Sequence, residues 1–229
     1  MDTAMTSPKY YILGDSHVAA FLAGARQAGG GNIVSGGGWG AATVYFEPFF
    51  EIVNGRIVPF EDRVFYRLWK RTTGVDMNDC EGRLILSMGL ATVPAIARPT
   101  WRTFGPDHAP ISRTLLNTIV NDFQEYVLRF YDALIERGLL AAVYDPPPPS
   151  SSHPALVRSS RAITDIVAER YRFPVLERIE RAGLPVIRLP VVGDDGFIDP
   201  HYAGPDPAHA GPAIGPHVVA ALQALQRQG

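Results

Sequence analysis

The stretch Lys9-Tyr10-Tyr11-Ile12-Leu13-Gly14-Asp15-Ser16-His17 decides the fold. Its apolar run is short, rich in aromatic and β-branched residues, and ends at a glycine, which predicts a buried strand. Val18, Phe21, Leu22 and Ala25 then recur at helical spacing, so a helix is expected at about 17–28, stopped by Gly29-Gly30-Gly31. Strand, tight turn and helix in that order form the first unit of an α/β fold.

The pattern repeats outward from this unit. A short second strand is expected at 32–35, leading into a loop Gly36-Gly37-Gly38-Trp39-Gly40. Further strands are expected at 83–88, 139–144 and 185–189. The clearest amphipathic helix carries Leu115, Leu116, Ile119, Val120, Phe123, Val127, Phe130 and Leu134. A helix is expected at about 155–171, a separate one from Pro174 because proline suits a first helical position, and a last one after a loop at about 192–215. Five strands alternating with helices predict a three-layer α/β/α domain with a flavodoxin-like parallel sheet, strand order 2-1-3-4-5. Residues 41–81 break the alternation. Within them Asn54-Gly55 separates two apolar runs, a two-residue hairpin signal, and Val64, Phe65, Leu68 and Trp69 suggest a short helix. They read as an insertion over one end of the sheet.

The chain has 229 residues, enough for one α/β domain spanning 1–229. Apolar residues make up 46%, charged residues 19%, and the net charge is −2. No basic surplus marks a nucleic-acid binder, and Arg67, Lys70 and Arg71 around Trp69 read as a solvated helix face. Cys80 is the only cysteine, so neither an internal disulfide nor a cysteine-rich zinc site is expected. No apolar run reaches the ~20 residues of a membrane span, and 1–8 lack a signal-peptide pattern. A cytoplasmic location is the expectation, with no internal repeat and low complexity confined to 146–152.

Ligands of open α/β sheets bind beyond the carboxyl ends of the strands. There Ser16 sits where strand becomes helix, with its N–H at a positive helix terminus; alternatively Asp15 or Ser16 only caps the helix. A serine hydroxyl needs a base. Asp206-Pro207-Ala208-His209 offers one: at this spacing a carboxylate can hold one imidazole nitrogen and leave the other for a serine.

Gly14-Asp15-Ser16 after the first strand and Asp206-x-x-His209 before the last helix resemble the first and last signature blocks of the SGNH (GDSL-type) hydrolase superfamily, over nearly the whole chain. The resemblance implies Ser16 as nucleophile, His209 as general base and Asp206 as its orienter. It also implies an oxyanion glycine after the second strand, for which Gly36, Gly37, Gly38 and Gly40 are all available, with Gly38 taken as the candidate. The family's Gly-x-Asn-Asp block reads Gly89-Leu90-Ala91-Thr92 here. Gly89 matches and the Asn is missing, as in divergent members that modify surface polysaccharides. Thr92 is the first candidate to replace it, ahead of the Gly89 to Ala91 backbone amides, His153, Arg98 and Arg102, and Asp15 is counted with the site. The implied substrate is a small-molecule or glycan acyl ester, with no cofactor.

Other readings stand beside this one. Gly36-x-Gly38-x-x-Ala41 loosely fits a dinucleotide loop but follows the wrong strand, and no phosphate-binding P-loop is present. His17, His201 and His209 with Asp15 and Asp199 would make a metal site only without any usual ligand spacing, so none is expected. Trp39, Trp101 and Tyr202 could stack on a sugar or pack in the core, and His217 reads as structural or exposed. An O-acyltransferase on the same fold, a catalytically silent binding module and a flavodoxin-like nucleotide binder complete the alternatives.

Overall fold

The computed structural model describes residues 9–38, 45–60, 64–104, 110–158 and 160–228. Five parallel strands form one sheet: β1 (Tyr10–Gly14), β2 (Val34–Gly38), β5 (Leu84–Ser87), β6 (Leu140–Asp145) and β7 (Val186–Arg188). Their order is β2-β1-β5-β6-β7. Numbered by sheet strand alone this is the 2-1-3-4-5 arrangement, with β1 inside the sheet and Ser16 just beyond its carboxyl end. A hairpin, β3 (Phe50–Val53) and β4 (Arg56–Pro59), forms a separate two-stranded sheet. Its turn residues Asn54 and Gly55 have φ of 49° and 76°, the left-handed values such a turn demands.

Strand alternation divides the core. Tyr11, Leu13, Leu84 and Leu86 face the helices α2 (Val64–Thr73) and α4 (Arg113–Glu136), joined by Val175 and Ile179 of α6 (Arg161–Arg181). Tyr10, Ile12, Ile85 and Ala142 face α1 (His17–Gln27) and α7 (Gly215–Gln228). The short helices α3 (Val93–Ile96) and α5 (Pro154–Val157) follow β5 and β6. The insertion extends one helical layer instead of capping an end of the sheet. Phe49 and Phe50 of its hairpin pack edge-on against Phe130 of α4, and Trp69 of α2 is fully buried with its indole N–H donating to the Ile12 carbonyl, 3.1 Å. Arg67, Lys70 and Arg71 stay exposed.

Two expectations fail for backbone reasons. The second strand runs through Gly36, Gly37 and Gly38, pairing with Ile12, Leu13 and Gly14, so these glycines are strand and not loop. At Gly36 the approach is too close for a side chain: a Cβ there would lie 1.9 Å from the Ile12 carbonyl oxygen. Trp39 and Gly40 lie outside the described residues. The helix expected to restart at Pro174 instead runs unbroken through it. A mid-helix proline removes one N–H and crowds the preceding turn. In that turn the buried Gln124 amide of α4 donates to the Tyr171 carbonyl, 2.7 Å, giving it a partner from outside the helix.

Candidate active site

Ser16 follows β1 and caps α1 with helical φ and ψ and no side-chain cap hydrogen bond. The turn is set by Asp15. Its N–H donates to the Ser87 carbonyl, 2.9 Å, and its Oδ1 accepts the His17 N–H, 3.0 Å. Asp15 thus supplies the capping interaction, leaving the Ser16 hydroxyl exposed and directed outward. Gly14 permits the bend, since a Cβ there would sit 2.1 Å from the Ser87 oxygen. Among the described residues no acceptor takes the Ser16 N–H, which points from a helix N-terminus, where partial positive charge favours an anion.

The partner comes from the other end of the chain. Asp206 Oδ1 accepts the N–H groups of Ala208 and His209, 2.8 and 3.1 Å, closing the 206–209 turn. An antiparallel bridge between Ala203 and Ala210 and the Gly204 N–H to His209 carbonyl bond, 2.8 Å, fix its base. The Asp206 carboxylate meets His209 Nδ1 at 2.8 and 3.0 Å, and His209 Nε2 lies 2.6 Å from Ser16 Oγ. With Nδ1–H donating to the carboxylate, Nε2 is left to accept the serine proton. Burial acts to raise the Asp206 carboxyl, but hydrogen bonds from His209 and Ala208 outweigh it and hold the group below the usual carboxylate range.

His17, weighed in the sequence only as a metal ligand, packs behind this pair. Its ring centroid lies 4.7 Å from that of His209. Burial pushes its imidazole down to about 3, with the nearby His209 adding to the shift and Asp206 opposing it, so His17 is neutral beside His209. Its identity as the residue after the serine was visible; its contact with a residue almost a whole chain away was not.

The remaining candidates are distributed differently. Gly38 ends β2 beside the serine turn, where a Cβ would lie 3.3 Å from the Asp15 carbonyl oxygen. Gly89 has φ 66°, and its carbonyl accepts from Gln124 Nε2 at 2.7 Å. Thr92 is not joined to the serine pair by any hydrogen bond among the described residues. It begins α3 and lines a cleft of about 300 Å³ with Pro147, Leu156, Arg172 and Phe197. The reason is the helical turn of α3, which directs the residue after Ala91 toward α6. Ala91 is itself buried. His153 caps α5, its Nδ1 accepting the Ala155 N–H at 3.1 Å; burial lowers its imidazole, with Asp206 opposing that shift and His209 adding to it. The Ser150 N–H to Pro207 carbonyl bond, 2.8 Å, holds this segment against the Asp206–His209 turn. Arg98 lies over the rings of Phe46 and Phe123, and the Arg102 side chain lies outside the described residues. Trp101 is core, its indole N–H donating to the Ala95 carbonyl, and the Tyr202 hydroxyl pairs with His217.

A larger cleft, about 630 Å³, runs between α4 and α6 past Asn117, Arg129 and Phe173 and holds none of Ser16, Asp206 and His209. No described helix is long and apolar enough to cross a membrane.

The arrangement can move a proton from Ser16 Oγ to His209 and present a backbone N–H to a developing oxyanion, the requirements of acyl transfer. No family model matches the chain, and no curated protein matches it. Among solved structures the chain is similar to a GDSL-like lipase from Bacteroides thetaiotaomicron VPI-5482, with 13% identity, a TM-score of 0.47, and coverage of 96% of this chain and 88% of that one.

Proposed function

We propose that this protein is a serine esterase or deacylase of the SGNH type acting on an O-acyl ester of a small molecule or carbohydrate. The observation that carries the reading is the 2.6 Å approach of His209 Nε2 to Ser16 Oγ, with Asp206 on the other ring nitrogen. His209 takes the Ser16 proton as Ser16 attacks the ester carbonyl. The Ser16 N–H, with that of Gly38 as second donor, holds the oxyanion. His209 then protonates the leaving alcohol, and water releases the acyl group. A sugar hydroxyl in place of water makes the same cycle an acyltransferase.

A second reading, a silent binding module on this fold, is favoured by Ala91. A buried methyl group stands where the resemblance expects an asparagine, and one oxyanion donor is worth ~3 kcal/mol in a transition state. Fluorophosphonate labelling and p-nitrophenyl acetate hydrolysis by wild type and Ser16→Ala decide between them. The esterase reading expects labelling and turnover that vanish in the variant; wild type no faster than Ser16→Ala on any short ester leaves the binding module.

A further inference from the structure

The proton-transfer scheme leaves one carboxyl beside the serine unused. Asp15 has no exposed surface. Its Oδ1 holds the His17 N–H, whereas its Oδ2 is buried with no hydrogen-bond partner among the described residues. A carboxylate oxygen so placed, without a donor or cation, is disfavoured.

The surroundings repeat the pattern. Asp15 interacts electrostatically with Tyr45, with Tyr131 of α4, Tyr144 of β6 and Tyr171 of α6, all fully buried. The Tyr131 hydroxyl is committed to the Met88 carbonyl at 3.0 Å. The Tyr45 and Tyr171 hydroxyls and Gln124 Oε1 are buried without partners among the described residues. From α1 the facing group is His17, kept neutral by burial. The charges nearby are engaged elsewhere: Asp145 pairs with Arg172 and Arg188, and Arg98 lies over two phenylalanine rings. A neutral Asp15 leaves this region, which is closed to solvent, without an uncompensated charge. An ionised Asp15 brings a buried charge, adjacent in the chain to the N–H where the oxyanion forms.

We propose that Asp15 is a positioning residue that works as a neutral carboxylic acid, bracing the Ser16 turn through its bond to His17 while its other oxygen stays buried away from any donor or cation among the described residues. Loss of that proton sets a negative charge against the developing oxyanion and closes the active pH range from the alkaline side. Burial, opposed by the His17 N–H, pushes the Asp15 carboxyl up to about 7, in line with this role. The inference rests on the esterase reading for its kinetic part only.

The test joins a pH profile to a titration. In wild type, kcat/KM for p-nitrophenyl acetate is expected to fall about tenfold per pH unit above about pH 7, as for a single ionisation to an inactive form. Asp15→Asn cannot ionise and is expected to lose that alkaline limb, so its ratio of kcat/KM at pH 9 to pH 6 exceeds the wild-type ratio at least tenfold. Wild type with carbon-13 at its aspartate carboxyls is followed by NMR in parallel, a measurement that needs no variant. One carboxyl is expected to titrate near neutrality. A wild-type profile without an alkaline limb, or a limb that persists in Asp15→Asn, overturns the kinetic role. All aspartates titrating in the ordinary carboxylate range overturns the neutral acid itself. If wild type shows neither labelling nor turnover the esterase reading fails, and the NMR titration still decides whether Asp15 holds its proton.

Discussion

The ring of His17 lies against the ring of His209, centroids 4.7 Å apart and planes inclined by 48°. One ring is buried and neutral; the other faces the serine. Ring packing of this kind restricts how His209 can turn about the axis that joins Asp206 to Ser16. A displacement of about 1 Å at a catalytic group can cost ~100-fold in rate. His17→Ala is therefore expected to lower kcat/KM by roughly 10- to 100-fold, with His17→Phe retaining most of the wild-type rate. Equal losses in the two variants would assign the role to the imidazole nitrogens instead of the ring.

The same residue shapes stability against pH. A histidine in an unfolded chain titrates near 6.5, whereas folded His17 is held at about 3. The unfolded state therefore binds the proton more readily. The stability linked to this group is present above about pH 6.5 and is lost as pH falls toward 3. Thermal melts of wild type and His17→Phe between pH 7 and 4 should converge on the acid side, because only wild type carries this loss. Parallel curves would mean that folded His17 takes up its proton normally.

Asp206 meets His209 Nδ1 from a half-exposed position, its side chain 52% accessible. A buried triad aspartate replaced by asparagine costs ~10⁴ in kcat through the wrong imidazole tautomer. Water can partly compensate here, so Asp206→Asn is expected to lose about 100-fold, less than its buried counterparts. Steady-state kinetics on a short activated ester measures this, and a loss below about threefold would remove Asp206 from the mechanism.

Thr92 lines the cleft beside Pro147 and Phe197 instead of meeting the serine. Thr92→Ala should change the rate on p-nitrophenyl acetate by less than about threefold, against the ~100-fold loss of a true oxyanion donor. A loss of that larger size would restore Thr92 as the stand-in for the missing asparagine.

Gln124 bonds two main-chain carbonyls at once, Gly89 after β5 and Tyr171 in α6, both at 2.7 Å. Gln124→Leu leaves both buried carbonyls without that donor. A stability loss of about 2–4 kcal/mol follows from two desolvated acceptors, read from the urea midpoint. A smaller change would show that the two carbonyls find other donors.

The parts of this molecule legible in the sequence are those where one local signal has one physical cause. The apolar run 10–13 closing at Gly14, the left-handed pair Asn54-Gly55, and the spacing of Asp206 and His209 each depend on neighbours a few residues away. What escaped depends on partners far along the chain. Gly36 to Gly38 look like loop until β1 pairs with them, close enough at Gly36 to forbid any side chain. Pro174 looks like a helix start until Tyr171, Val175 and Ile179 on either side of it are buried on one continuous helix face. The direction of Thr92 is set by the short helix it begins, and the neutrality of His17 by a core assembled from both ends of the sequence. No local pattern encodes any of these.

Ser16 and His209 stand 193 positions apart, and the elements that flank them, α1 and α7, meet where two glycines face each other: a Cβ on Gly24 would lie 3.1 Å from the Gly215 backbone. Closing so long a loop has an entropic cost that the contacts between α1 and α7 must offset. The serine pair therefore exists only after the two ends of the chain have docked. During refolding, circular dichroism would register the helices as each forms, while reaction of Ser16 with a fluorophosphonate would wait for that closure. The pair thus reports one long-range event, the docking of α1 on α7, and a chain in which those two helices had not met would hold Ser16 without its histidine whatever its helix content.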